Sequence, residues 1–112
     1  MKWYSQLYVG EKAKKKKNTI IRKLKINAGM RNVYVITRAS NSADLFDIIS
    51  TVYLKQRTVR RNLPTIIGIA IGYEEALELV IAIIQETYRE TGDVKVHQYL
   101  AEKVKRNTLR QR

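Results

Sequence analysis

The stretch Thr65–Ile71, TIIGIAI, constrains this chain more than any other part of its 112 residues. After Thr65 it has no polar side chain, so a strand built from it has no face to turn to water. Such a strand belongs inside a sheet covered on both sides. Gly68 within it marks a place where a helix or another backbone comes close. Gly72 then leads into the strongest helical pattern, Tyr73 to about Glu90. Leu77, Val80, Ile81, Ile84 and Tyr88 share one face, Glu75, Glu78, Gln85, Glu86 and Arg89 the other, and Gly92 ends it. Leu79, Ala82 and Ile83 add apolar surface beyond the main stripe. The helix is therefore either engulfed by its own domain or offers a patch to a second copy, as a homodimer through Tyr73–Glu90.

The rest of the chain alternates in the same way. Trp3–Val9 has the two-residue rhythm of a strand and stops at Gly10. Ala13, Lys17, Ile20, Ile21, Leu24 and Ala28 mark one face of a helix that Gly29 is placed to end. Val33–Thr37 (VYVIT) is β-branched and apolar, a strand buried on both sides. Asn41, with Asp44 three residues on, resembles a helix cap, and Leu45, Ile48, Ile49 and Val52 supply the buried stripe of a second helix, fading through Lys55–Arg61 before Pro64. Val94, Val96, Gln98 and Leu100 alternate with Lys95, His97 and Tyr99 as in an edge strand. From Glu102 onward the chain is basic, with only Val104 and Leu109 as apolar markers.

The resulting order is β-α-β-α-β-α-β. Strands separated by helices pair in parallel through right-handed crossovers. The expected fold is a small, Rossmann-like three-layer α/β/α sandwich, with a four-stranded mostly parallel sheet whose first and third strands are central. It would occupy residues 1–100 as a single domain, followed by a basic tail, residues 101–112.

An apolar content of 45% is that of a globular protein. The chain has no cysteine, which excludes disulfides, thiolate chemistry and Cys-based zinc sites. MKWYSQLYVG has no continuous apolar core and does not read as a signal peptide. The uncharged run Leu63–Tyr73 is far shorter than the roughly 18 residues of a membrane span. These features suggest a cytoplasmic protein without membrane association. No catalytic signature stands out, and no cofactor or metal is implied.

Charge is the strongest functional signal. Residues 1–62 carry 15 Lys and Arg against 3 Asp and Glu, residues 63–100 carry 2 against 6, and residues 101–112 carry 5 against 1. Clustered cations attract phosphate, so an anionic partner such as nucleic acid is expected. The grip would come from Lys12, Lys14, Lys15, Lys16, Lys17, Arg22, Lys23, Lys25, Arg57, Arg60 and Arg61.

In a parallel sheet, ligands gather beyond the carboxyl ends of the strands. Three loops qualify. GEKAKKKKN has one glycine and no Lys-Ser/Thr ending, so it fails as a nucleotide-binding P-loop. Thr37–Ser42 combines Arg38, the hydroxyls of Ser40 and Ser42, and an expected helix N-terminus, a combination that can hold a phosphate-bearing ligand; Asn41 and Ser42 equally serve as plain caps. Gly72–Glu75 is acidic and repels phosphate, and its glutamates read as partners of the helix dipole. His97 reads as a surface residue. Tyr4 and Tyr8 share a face near the lysine run, either as base-stacking platforms or as core rings beneath a helix. Three functional classes follow: a non-catalytic polyanion-binding module, a regulator that binds a phosphate-bearing or nucleotide ligand, or a homodimeric structural or interaction protein.

Overall fold

A computed structural model describes residues 1–39, 41 and 44–110 of the chain, with side chains to residue 108. Along the sequence come β1 (Trp3–Val9), α1 (Glu11–Lys14), α2 (Lys17–Lys25), β2 (Val33–Arg38) and β3 (Phe46–Ser50). A 3-10 turn (Thr51–Lys55), α3 (Arg57–Arg61), β4 (Ile66–Ile71), α4 (Tyr73–Thr91) and α5 (Val96–Arg110) follow.

The four strands form one sheet in the order β1-β4-β2-β3. β1 runs parallel to β4, but β2 is antiparallel to both of its neighbours, β4 and β3. The sheet is thus mixed and mainly antiparallel, which corrects the mostly parallel, Rossmann-like sheet and its β-α-β-α-β-α-β order. β4 is central as expected from its composition, whereas β1 lies at an edge and β2 takes the second inner position.

Two segments account for the difference. Where a second helix was expected, Phe46–Ser50 is a strand paired residue by residue with β2, from Tyr34–Ser50 to Arg38–Phe46. Ala39 N–H bonds Leu45 O at 3.2 Å, and Asn41 Oδ1 accepts Asp44 N–H at 2.9 Å. The cap-like pair Asn41/Asp44 therefore closes a hairpin connection instead of starting a helix, a use of Asn that turn chemistry shares with capping. Phe46 and Ile48 face one layer and Ile49 the other, a period of two that the helical spacing of Leu45, Ile48, Ile49 and Val52 had hidden.

The second segment is Val94–Leu100, where an edge strand was expected. Helix α5 starts there, at Val96. Val96, Tyr99 and Leu100 are buried at helical spacing, and Asp93 Oδ1 accepts Lys95 N–H at 3.0 Å just before the first turn. The helix runs on through residues 101–110, so the boundary drawn at residue 100 falls inside an element.

Helices cover the sheet on both sides. One core cluster joins Ala13, Ile20 and Leu24 of α1 and α2, and Leu54 of the 3-10 turn, to Val33, Val35, Ile66 and Ile69. On the opposite side, Ala76 and Ile83 of α4 and Val96, Tyr99 and Leu100 of α5 pack on Ile36, Ile67 and Ala70. Gly68 sits where α4 comes closest: a Cβ there would lie 3.1 Å from Leu79 Cδ2 and 3.2 Å from the Tyr8 carbonyl. A larger residue would push helix and sheet apart.

Candidate polyanion interface

The basic run begins where β1 ends. The long helix expected from Ala13 to Ala28 is broken at Lys15–Lys16 into α1 and α2, so the four lysines turn a corner. Lys12 and Lys14 lie on α1, Lys15 and Lys16 in the turn, and Lys17, Arg22, Lys23 and Lys25 on α2; all eight are exposed. α2 buries only Ile20 and Leu24, which leaves its outer surface and both flanks to cations.

α3 joins the same layer through one side chain. Arg60 Nη2 donates to Leu24 O at 2.6 Å and Lys25 O at 3.4 Å, and Nη1 to Asn27 Oδ1 at 3.3 Å. A guanidinium at the carboxyl end of α2 satisfies carbonyls that have no partner within the helix. Arg60 is therefore spent on the joint, while Arg57 and Arg61 stay exposed, one turn apart. Lys55 approaches Gly29 so closely that a Cβ there would meet its Cε at 2.7 Å.

Two concave surfaces flank α2. One, of about 350 Å³, is lined by Lys16, Lys23 and Arg31 together with Thr19, Gly29 and Met30, and no carboxylate lines it. The other, of about 530 Å³, runs along the outer edge of β1 between Lys14, Lys17 and Lys103 and the strand residues Ser5 to Val9. Among the described residues only two ion pairs form, Lys14–Glu11 at 2.9 Å and Lys103–Glu86 at 3.0 Å. The first is a surface pair between side chains 59% and 87% exposed, worth little in water.

The conventional phosphate position at the start of α1 is already occupied. Glu75, a buried carboxylate in the first turn of α4, accepts Lys12 N–H at 2.6 Å through Oε1 and Ile71 N–H at 2.7 Å through Oε2. A Cβ on Gly10 would overlap this carboxyl group. An anion from solvent would compete with a built-in one, which sets the lysine run further apart from any P-loop. The adjoining crevice of about 200 Å³ is lined by Glu11, Glu75 and Glu78. Among the described residues no group of three or more His, Cys, Asp or Glu is arranged to hold a metal ion.

Arg38 does not join the cluster. It is exposed at the end of β2, and β2 runs against β1, so it lies at the end of the sheet opposite α1. The segment after it leads into a strand, so the helix N-terminus on which the Thr37–Ser42 anion site depended is absent; Ser40 and Ser42 lie outside the described residues. No protein-family model, curated protein or solved structure matches this chain. The functional reading therefore rests on its own geometry.

A second polar cluster, unread in the sequence, pins α5 to the rest. Glu86 Oε2 accepts from Tyr8 at 2.6 Å, Tyr99 at 2.7 Å and Lys103 at 3.0 Å, and Lys103 Nζ lies 4.9 Å from the centre of the Tyr8 ring. Tyr4 stacks parallel to Tyr8 with centres 6.2 Å apart and donates to Leu100 O at 2.8 Å. Burial pushes Tyr4 and Tyr99 up to about 12, helped by the Glu86 charge, and Tyr8 higher still. Burial also pushes the Glu86 carboxyl up, but the three donated hydrogen bonds and the Lys103 charge outweigh it and hold it below its ordinary value. Tyrosines held neutral in this way are poor bases, and the cluster works as a clamp. His97 serves the same joint: its Nε2 lies 2.8 Å from Leu45 O and its ring packs edge-on to Phe46.

Proposed function

We propose that this protein is a non-catalytic binding module for a polyanion, with nucleic acid the class its surface suits best. A phosphodiester strand would cross α2, with phosphates in the pocket of Lys16, Lys23 and Arg31 and along the groove of Lys14 and Lys17. The observation that carries this reading is the pocket itself: three cations and a hydroxyl converge with no carboxylate to neutralise them. Arg57 and Arg61 extend the same field through the α2–α3 joint. Contacts of this kind position a backbone without reading bases, so weak sequence preference is expected.

Fluorescence anisotropy with a mixed-sequence, single-stranded oligonucleotide, repeated over a range of salt, tests the proposal. Binding should weaken steeply with salt. The double substitution Lys16→Gln and Lys23→Gln should flatten the log–log slope by about one per lost phosphate contact. Arg38→Gln, at the far end of the sheet, should change it little. Absence of binding at low salt, or an equal effect from Arg38→Gln, would count against this surface.

A further inference from the structure

α4 covers the sheet with one face and leaves a second, apolar face bare. Ala76, Ile83 and Thr87 are buried, yet Tyr73, Leu77, Ile81 and Tyr88 are 51%, 40%, 53% and 60% exposed. Val80 and Ile84 are half-buried at the rim of the same stripe. At about 100° per residue, these six side chains fall within about a third of the helix circumference. Most of the stripe that its sequence marks as a core face is therefore open to solvent.

The order of the stripe says what fits it. Tyr73, Leu77, Val80, Ile81, Ile84 and Tyr88 are spaced symmetrically about the midpoint between Val80 and Ile81. A helix with that spacing complements an antiparallel copy of itself: Tyr73 would meet Tyr88 of the second copy, Leu77 would meet Ile84, and Val80 would meet Ile81. An antiparallel pair also sets the positive end of each helix dipole beside the negative end of the other, whereas a parallel pair would set like ends together.

We propose that the protein forms a two-fold homodimer through antiparallel α4 helices, with the axis passing between Val80 and Ile81. The groove of about 490 Å³ lined by Leu45, Phe46 and Ile48 with Tyr73, Leu77 and Val80, and also by Asp44 and Asp47, adjoins this stripe on the side of β3. It enlarges the contact beyond a single helix stripe, toward the ~800 Å² per partner of a standard interface. Net charge favours the same side: residues 63–100 carry 2 Lys and Arg against 6 Asp and Glu, so two copies of a +12 chain repel least there. α1, α2 and α3 lie on the opposite side of the sheet and remain exposed, so dimerisation stands or falls independently of polyanion binding.

Sedimentation equilibrium across a range of concentration should give twice the 13.1 kDa chain mass at the high end. Ile81→Arg should weaken the dimer at least ~30-fold, as loss of a central anchor does. The chain has no cysteine, so Ile81→Cys should oxidise to a covalent dimer while Lys25→Cys on the basic layer should not. Both positions are exposed, and an unchanged circular dichroism spectrum would show that the variants fold. A monomer at every concentration, a dimer indifferent to Ile81→Arg, or cross-linking through Lys25→Cys in place of Ile81→Cys would overturn the proposal.

Discussion

Glu75 shows how one side chain can change the meaning of a loop. In sequence it is an ordinary acidic residue in a first helical turn. In the fold, its carboxylate bonds the backbone of two other segments, Lys12 N–H and Ile71 N–H. Glu75→Ala would leave both groups short of a partner, and an expected loss of about 2–4 kcal/mol follows from the cost of unmade buried hydrogen bonds. Urea unfolding measures it. Gly10→Ala should destabilise by displacing the same carboxylate, and adding it to Glu75→Ala should cost less than the two single losses combined. Nothing in the residue pattern pointed to this contact, because Gly10 and Glu75 are far apart along the chain and meet only when β1 pairs with β4. The basic residues were legible as a class, since charge needs no fold to be counted. Their roles were not: Arg60, placed among the ligand-binding cations, holds two helices together, while Arg31, unremarked, completes the pocket of Lys16 and Lys23.

At the scale of elements, α5 is where pattern and structure part most sharply. Val94–Leu100 alternates like a strand, but Val96, Tyr99, Leu100 and Lys103 also fall at helical spacing, and the helix is longer and buries more. A short edge strand would have gained one ladder, whereas the helix gains a hydrophobic face and the Glu86 clamp. Removing residues 101–112 takes Lys103 from Glu86 and Tyr8. The melting temperature should drop by about 5 °C or more, on the scale of one lost charge-assisted contact in a domain of this size. The clamp also has a pH signature. Glu86 is held below its ordinary value, so its contribution is complete above about 4.5 and disappears as pH falls through the lowered folded value. Tyr99 is raised, so its contribution is complete below 10 and lost as pH rises through about 12. The stability difference between wild type and Glu86→Gln should therefore be widest near neutrality and shrink in acid; a difference independent of acid pH would show that Glu86 does not act as a carboxylate. For β3, five residue pairs with β2 outweighed the helical spacing of Leu45, Ile48, Ile49 and Val52, since β-branched residues lose little by being extended.

The whole molecule carries a formal charge of +12, and its described cations form only two ion pairs. Self-repulsion then opposes the compact state, so raising salt from about 0.01 M to about 0.15 M, which shortens the screening length from ~30 Å to ~8 Å, should raise the melting temperature. A polyanion added at low salt should raise it further, because it binds the folded form. A melting point unaffected by either would place the cations too far apart to act together. What the residues determined without any fold was local or additive: net charge, the absence of thiol chemistry, the two-sided burial of Ile66–Ile71 and the long helix after it. Tertiary structure decided everything that depends on which segments meet. Strand direction turned on a hairpin where a crossover helix had seemed natural. The anion position at α1 turned on a carboxylate from α4, and the basic pocket on the approach of the segment before β2 to the flank of α2. Charge and apolarity belong to single side chains and sum along a polypeptide, whereas direction, neutralisation and convergence are properties of pairs brought together only by long-range pairing.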